Sequence, residues 1–438
     1  MTVREITLAL LNDYENSGKY ANLSLFSHLL DKLNGTERAF LTHLFYTAVE
    51  KKLTYDYYAC SISGRSLSDV DSYTLNILRL GFAQICDTES VPSFAAVNET
   101  VALCRSKGEK AFVNGVLRSA VRAAEGDGLP MPKKEKNPAR YLRIKYSFPL
   151  AIAKEFTEKF GYDGAEKLLR HYNSVGYTDI TVNTTKISVE ELLCKLTESG
   201  LNAVRSLYSE IGIRIFGSCD VTGLYGFSEG LFFVQDEAGA VSAKALGVKP
   251  YELVVDTCAA PGGKSFAGSV LSEAKAQIHS FDIHISKLSL IRDGAKRLGF
   301  DNISVDVNDA ARPVDEIVGK ADKVICDCPC SGLGVLGKKP DLRYRSGEGD
   351  ENLPKLQYNI LCASSGYLKV GGEMVYSTCT LRESENEEVV LRFLKENGNF
   401  VAVDFTVGSL KSNNGMLTLV PHIHNTDGFF IAKLKRIG

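Results

Sequence analysis

The chain has 438 residues, 44% of them apolar and 24% charged, with a formal net charge of −2, which is the profile of a soluble globular protein built from two or three compact units. The near-neutral charge excludes a global nucleic-acid footprint, so any RNA contact must come from local basic patches. There is no run of about 18 apolar residues and no charged-then-apolar leader, which argues against a membrane span or partner, and eleven cysteines without a secretory signal predict reduced thiols in a cytoplasmic protein.

Residues 1 to about 125 read as helical. Val3, Ile6 and Leu10 form one apolar stripe, and Phe112, Val116 and Ala120 form another. Gly126, Gly128, Pro130 and Pro132 then break the pattern, so an all-α unit is assigned to 1–132. Lys133, Lys134, Lys136, Arg140, Arg143 and Lys145 follow, interleaved with Tyr141 and Tyr146. On charge alone this is a solvated linker and helix face; a chain that acts on RNA would give it phosphates to meet. A small α/β unit is assigned to 133–235: Ile180–Asn183 reads as a strand, Ser188 as the cap of a helix through Leu192 and Leu196, and Ile211–Phe216 as further β-prone chain.

From 236 to 438 short apolar strands alternate with helical stretches, which predicts a doubly wound, mostly parallel α/β sheet. Leu253–Val255 ends at Asp256, Ile278–Phe281 at Asp282, Ile303–Val305 precedes Asp309, and Lys323–Cys326 ends at Asp327. Helices are predicted at about 353–368 and 384–395, and strands at Glu373–Tyr376 and Phe429–Leu434. Ligands bind such sheets at the carboxyl ends of the strands, where these four acids lie.

Three motifs compete for that edge. Ala260-Pro261-Gly262-Gly263-Lys264 follows a strand and opens a helix, as a ligand-cradling turn would. It is not a P-loop, because the first glycine of that motif would fall at Cys258. Asp282, 26 positions after Asp256, suits the hydroxyls of a ribose, and the pair suits a cofactor without a pyrophosphate, such as S-adenosylmethionine. Gly332-Leu333-Gly334-Val335-Leu336-Gly337 matches the dinucleotide fingerprint literally, but Lys338–Arg345 behind it is no amphipathic helix. This segment is read as a mobile basic loop with Arg343 and Arg345 available to phosphates. Cys326, Cys328 and Cys330 alternate along a strand, yet no second ligand pair matches them, so no metal is expected.

Cys330, in Asp327-Cys328-Pro329-Cys330-Ser331-Gly332, and Cys379, in Ser377-Thr378-Cys379-Thr380, are candidate nucleophiles. A thiolate that adds to C6 of cytosine makes C5 nucleophilic toward a methyl donor, splitting one hard step into two. Asp327 is placed to contact the base, with Lys264 supporting it electrostatically. Either cysteine satisfies this chemistry. Cys60, Cys86, Cys104, Cys194, Cys219 and Cys362 are expected to be buried packing residues.

Ala-Ala-Pro-Gly-Gly-Lys at 259–264, Asp-Cys-Pro-Cys-Ser-Gly at 327–332 and Ser-Thr-Cys-Thr at 377–380 together resemble the RNA 5-methylcytosine methyltransferases of the Sun/Fmu type. Ala95–Val101 and Phe112–Arg118 look like the NusB-type RNA-binding helical domain fused to bacterial members, which narrows the resemblance to the small-subunit ribosomal RNA cytosine-C5 methyltransferases. It implies a Rossmann-like class I methyltransferase domain, a NusB-like first domain and S-adenosylmethionine as cofactor. It also implies cofactor contacts from Cys258, Ala259, Ala260, Pro261, Gly262, Gly263 and Lys264, and from Asp282, Asp309 and Asp327. By the same resemblance Cys379 is the nucleophile and Cys330 the residue that helps release product. Ile180–Asn183 lacks the arginine this family carries before its Val-Asn. The expected partner is small-subunit ribosomal RNA bound by a monomer, with no DNA. Transfer RNA as substrate, or a non-catalytic RNA-binding or assembly role, are the alternatives.

Overall fold

The computed structural model describes residues 1–17, 21, 33–174, 176–217, 219–345 and 350–438. The chain divides into two compact units, one of Met1–Asn173 with Lys338–Arg345 and one of Ser174–Gly337 with Ser346–Gly438.

The described elements of the first unit are helical: α1 (Val3–Ser17), α2 (Gly35–Glu50), α3 (Lys52–Ser63), α4 (Ser72–Asp87), α5 (Ser93–Ala102), α6 (Lys107–Glu125), α7 (Pro138–Tyr146) and α8 (Leu150–Tyr172). Local chemistry sets their starts. Asn34 accepts from the Glu37 N–H while the Glu37 carboxylate takes the Asn34 N–H, a reciprocal capping box that opens α2. Ser106 caps α6 through the Glu109 N–H, and Asn137 caps α7 with Pro138 in its first turn. The apolar stripes meet in one core around Leu41, Phe45, Ile77, Phe82, Val116 and Leu117.

Two features of this unit differ from the sequence reading. Residues 133–173, grouped above with the α/β unit, form α7 and α8 within the helical unit. They bury Leu142, Ile144, Phe148, Ile152 and Phe156, and that apolar stripe outweighs the surface charges. Lys145 pairs with Glu166 at 2.7 Å, and the Lys134 ammonium lies 4.1 Å from the Tyr162 ring centroid.

The second difference is Lys338–Arg345, which is not a mobile basic loop. Pro340–Tyr344 is a 3₁₀ turn. Arg343 is fully buried, its guanidinium 3.9 Å from the Phe148 ring centroid and Nη2 3.4 Å from Glu50 Oε1. Burial holds its pKa below the ordinary arginine value against the pull of Glu50. The Tyr344 hydroxyl donates to the Glu50 carbonyl at 2.8 Å, and half-buried Arg345 lies 4.0 Å from Asp341. Arg343 is therefore unavailable to phosphates: its flat, weakly hydrated cation can stack on an aromatic ring in the interior.

The second unit begins with an antiparallel sheet ordered β2-β3-β1-β4, from β1 (Tyr177–Val182), β2 (Asn202–Arg205), β3 (Gly212–Phe216) and β4 (Phe232–Val234). Helix α9 (Val189–Glu198), capped by Ser188, packs Leu192 and Leu196 onto Ile180, Val182, Ile213 and Ile215.

After α10 (Glu237–Leu246) comes the main sheet, ordered β10-β14-β9-β8-β5-β6-β7, with β13 also paired to β14. Its parallel strands are β5 (Leu253–Asp256), β6 (Gln277–Asp282), β7 (Ile303–Val307), β8 (Ala321–Asp327) and β9 (Leu368–Thr378). The antiparallel ones are β10 (Phe400–Ala402), β13 (Met416–Leu419) and β14 (Phe429–Arg436); β11 (Thr406–Val407) and β12 (Leu410–Lys411) form a separate hairpin. Helices α11 (Gly263–Leu271), α12 (Ile285–Leu298), α13 (Leu353–Ser365) and α14 (Glu387–Glu396) connect them. Val255, Val324 and Met374 face one apolar layer and Val254, Ile325 and Val375 the other, the two-sided burial that parallel strands require. The chain runs β5-β6-β7 one way and β8-β9 the other, so the order reverses between β5 and β8. That switch point is where such sheets open a ligand crevice.

Candidate active site

Asp256 and Asp327 end the two strands that flank the crevice. Asp256 is buried and accepts from the Ser265 hydroxyl at 2.7 Å; burial pushes its pKa up to about 7. Asp327 is half-buried. Lys264 Nζ donates to its Oδ2 at 2.6 Å and Ser377 Oγ to its Oδ1 at 2.6 Å, across the β8–β9 pairing that sets Asp327 opposite Ser377. Burial works against the Lys264 charge, but Asp327 outweighs it and the ammonium pKa stays above its ordinary value. The ammonium also lies 5.1 Å from the Phe429 ring centroid. Charge, proton and hydrogen-bond donors thus meet at one strand end.

The same edge gathers both cysteines. Cys330 and Cys379 lie 49 positions apart in sequence, yet their sulfurs are 3.1 Å apart and both are half-buried. The hydrogen bond to Cys379, then burial and the Glu385 charge, push the Cys330 thiol well above its ordinary pKa. Cys326 and Cys328 lie behind the site, buried and 3.6 Å apart. Among the described residues no group of three or more His, Cys, Asp or Glu side chains is placed to hold a metal ion.

The glycines after Cys330 have a packing purpose. Gly334 donates to the Cys379 carbonyl at 2.9 Å and accepts from the Gly428 N–H at 2.8 Å. A Cβ there would sit 1.9 Å from the Gly428 oxygen and 2.8 Å from the Cys379 oxygen. Only glycine permits this approach, which presses the Cys330 loop against the Cys379 loop.

Across the switch point, the loop Cys258–Gly262 folds back on itself: Ala259 donates to the Phe281 carbonyl and Gly262 to the Ala259 carbonyl. Gly262 has φ 111°, and a Cβ on it would lie 2.4 Å from Phe266 Cζ, so the loop is shaped around a bare backbone. Asp282 accepts from Ala260 N at 3.2 Å and His284 N at 2.9 Å, which holds its carboxylate over this loop. Asp309 accepts from Ala311 N at 3.0 Å. Beside these acids Ile283 and Val307 are 57% and 54% exposed, an apolar surface of the sort that an adenine covers. Strand-end acids, bare apolar side chains and a glycine loop fit a purine nucleoside with a short charged tail, and so fit S-adenosylmethionine.

The structure therefore brings Lys264, Asp327, Cys330 and Cys379 together, and sets the 258–263 loop, Asp282 and Asp309 along the neighbouring strand ends. Cys258 is half-buried, with its thiol pushed well up by burial. The packing expectation for the remaining cysteines needs correction: Cys104 is buried, but Cys86 and Cys194 are exposed and Cys60, Cys219 and Cys362 intermediate. Cys86 and Cys194 fall on the outer faces of their helices, whereas the half-buried Cys219 and Cys362 pack at the margins of apolar cores. Sequence reasoning missed Ser331, Gln357, Ser377, Glu385 and Asn386. Each is a common polar residue whose role exists only once distant loops meet; the one legible signal was a run of polar residues immediately before α14.

Comparisons with known proteins place the chain in a family. The family profile described as "16S rRNA methyltransferase RsmB/F" matches residues 243–435, the NusB family profile residues 1–122, and a "Methyltr_RsmF/B-like, ferredoxin-like domain" profile residues 148–222. The chain is 32% identical to the "Probable ribosomal RNA small subunit methyltransferase B" of Bacillus subtilis (strain 168), over 100% of this chain and 99% of that one. It is 30% identical to the "Ribosomal RNA small subunit methyltransferase B" of Pseudomonas putida, over 96% and 95%. The crystal structure of PH0851 superposes with a TM-score of 0.80 at 27% identity, covering 100% of this chain and 99% of that one. With its helical NusB domain and its mostly parallel sheet opening at a strand-end crevice, the chain belongs to the RsmB/F family of methyltransferases.

Proposed function

We propose that this protein methylates C5 of a cytosine in small-subunit ribosomal RNA through a covalent adduct between Cys379 and C6 of the base. The observation that carries this reading is the pair of sulfurs 3.1 Å apart beside the Lys264–Asp327 pair. S-adenosylmethionine, when bound, supplies an electrophilic methyl group. The 258–264 loop would hold its charged tail, Asp282 its ribose, and Asp309 with Ile283 and Val307 its adenine.

Cys330, kept protonated by its surroundings, donates its S–H toward the Cys379 sulfur and favours thiolate character there. The Cys379 thiolate adds to C6; a C–S bond forms and the C5–C6 electron pair becomes available at C5. The Asp327 carboxylate accepts a hydrogen bond from the exocyclic amine of the base. The Lys264 ammonium beside it supplies the positive charge that steadies electron density drawn into the ring. After methylation the C5 proton passes to water, the C–S bond breaks and C5=C6 reforms. Cys330 then hydrogen-bonds the departing Cys379 sulfur, which makes it the release group. The target base must be unpaired or drawn out of its helix to reach this edge.

The test is bisulfite sequencing of total RNA from a deletion strain complemented with wild type or with Cys379→Ala. The expected result is one 5-methylcytosine in 16S RNA, lost on deletion and restored by wild type alone. A lost site in transfer RNA would replace the substrate, and restoration by Cys379→Ala would remove the nucleophile assignment.

A further inference from the structure

We propose that Glu385 and Asn386 are a positioning pair that aims the two thiols, Glu385 governing release through the Cys330 loop and Asn386 governing adduct formation through the Cys379 loop. The inference rests on the cysteine roles proposed above.

Both residues are 1% exposed, and neither serves the helix they precede. Asn386 is the N-cap of α14 but makes no side-chain cap bond. Its Oδ1 instead accepts from Thr378 Oγ1 at 2.5 Å, and its Nδ2 donates to the Thr380 carbonyl at 3.0 Å. One amide thus grips the residues on either side of Cys379. Glu385 accepts from Ser331 N at 2.9 Å and Ser331 Oγ at 2.5 Å, directly after Cys330. Gln357 Nε2 donates both to Glu385 Oε2 and to the Pro329 carbonyl, each at 2.9 Å, so the chain is held on the other side of Cys330 as well.

The two grips are joined. Ser331 Oγ and Thr380 Oγ1 are 2.8 Å apart, and the buried Tyr376 hydroxyl donates to the Glu385 carbonyl at 2.5 Å. A buried carboxylate is costly unless its lone pairs are filled. Here Ser331 N and Oγ and Gln357 Nε2 donate to them, with Arg382 Nη1 3.8 Å away. Adjacent residues on one turn therefore fix both loops against one frame. Misplacing a reacting atom by about 1 Å costs on the order of 10²-fold in rate, so each grip controls the step made by its own cysteine.

The experiment uses full-length protein, S-adenosylmethionine and 16S ribosomal RNA transcripts made with cytidine or with 5-fluorocytidine, whose blocked C5 traps the adduct. Formation is read as the trapping rate, and release as the adduct standing on the cytidine transcript. Glu385→Gln is expected to trap within about twofold of wild type while its standing adduct rises about tenfold or more; Asn386→Ala is expected to trap about tenfold or more slowly with no standing adduct. Both variants should lose some melting temperature, since each leaves buried partners unpaired, so the assays are run below both transitions; cofactor affinity should match wild type. Should Glu385→Gln not fold, Ser331→Ala, which removes the hydroxyl Glu385 holds, is read by the same rates with the same expected rise. Equal slowing of both steps in either variant, or no change in either, overturns the proposal. If wild type forms no adduct on either transcript, the reading beneath fails instead, and the inference with it.

Discussion

Two consecutive stretches of chain, Pro329–Gly337 and Lys338–Arg345, have opposite uses. The first lies in the second unit, with Gly334 pressed against the Cys379 loop and its thiol half-exposed at the sheet edge. The second belongs to the helical unit, where Arg343 is fully buried against Phe148 and Glu50. Beside the first stretch Lys264 meets Asp327, and within the second Arg343 meets Glu50; the two pairings are not alike. Lys264 and Asp327 are 2.6 Å apart at a half-open edge, and the pairing raises the lysine pKa. Arg343 and Glu50 are 3.4 Å apart and burial lowers the arginine pKa. A charge held ready at an opening can act on a ligand; a charge enclosed beside an aromatic ring holds the fold.

The sharpest way to break that contrast is to neutralise each pair. Asp327→Asn should lower kcat/KM for methyl transfer by about 10²–10³-fold, the usual cost of one preorganised polar group at a reacting centre, with little change in melting temperature. Arg343→Met should do the reverse. We expect a loss of about 2 kcal/mol in unfolding free energy from disrupted buried packing and pairing. Methyl transfer below the melting transition and RNA affinity should stay near wild type; a reduced salt dependence of RNA binding would instead mean that Arg343 meets phosphate after all.

The same contrast explains what was readable. The strand-end acids Asp256, Asp282 and Asp327 were legible because a short apolar run followed by an acid has one sensible place in a parallel sheet. The Ser188 cap was legible because capping is local. The closeness of Cys330 to Cys379, 49 positions apart, was not, since it comes from β8 and β9 being neighbours. Glu385 and Asn386 looked like ordinary polar residues at a helix start. Arg343 was misread because charge pattern predicts solvent in general, and burial of this cation depends on Phe148, which lies about 195 positions away.

A smaller effect separates the interior of the site from its edge. Asp256 has its folded pKa raised from 3.8 to about 7 by burial. The contribution is therefore fully present below the unfolded pKa and is lost as pH rises from about 4 through 7, by up to about 4 kcal/mol at most. Asp256→Asn should flatten the fall in melting temperature across that window. An unchanged slope would show that Asp256 is ionised in the folded protein.

Under the proposed mechanism the two thiols divide one reaction between attack and release. Its most direct measurement is a denaturing gel of Cys330→Ala and Cys379→Ala, each incubated with 16S RNA and S-adenosylmethionine. Attack by Cys379 and release by Cys330 give a covalent protein–RNA band for Cys330→Ala and none for Cys379→Ala. A band from Cys379→Ala, with none from Cys330→Ala, would contradict it by reversing the roles.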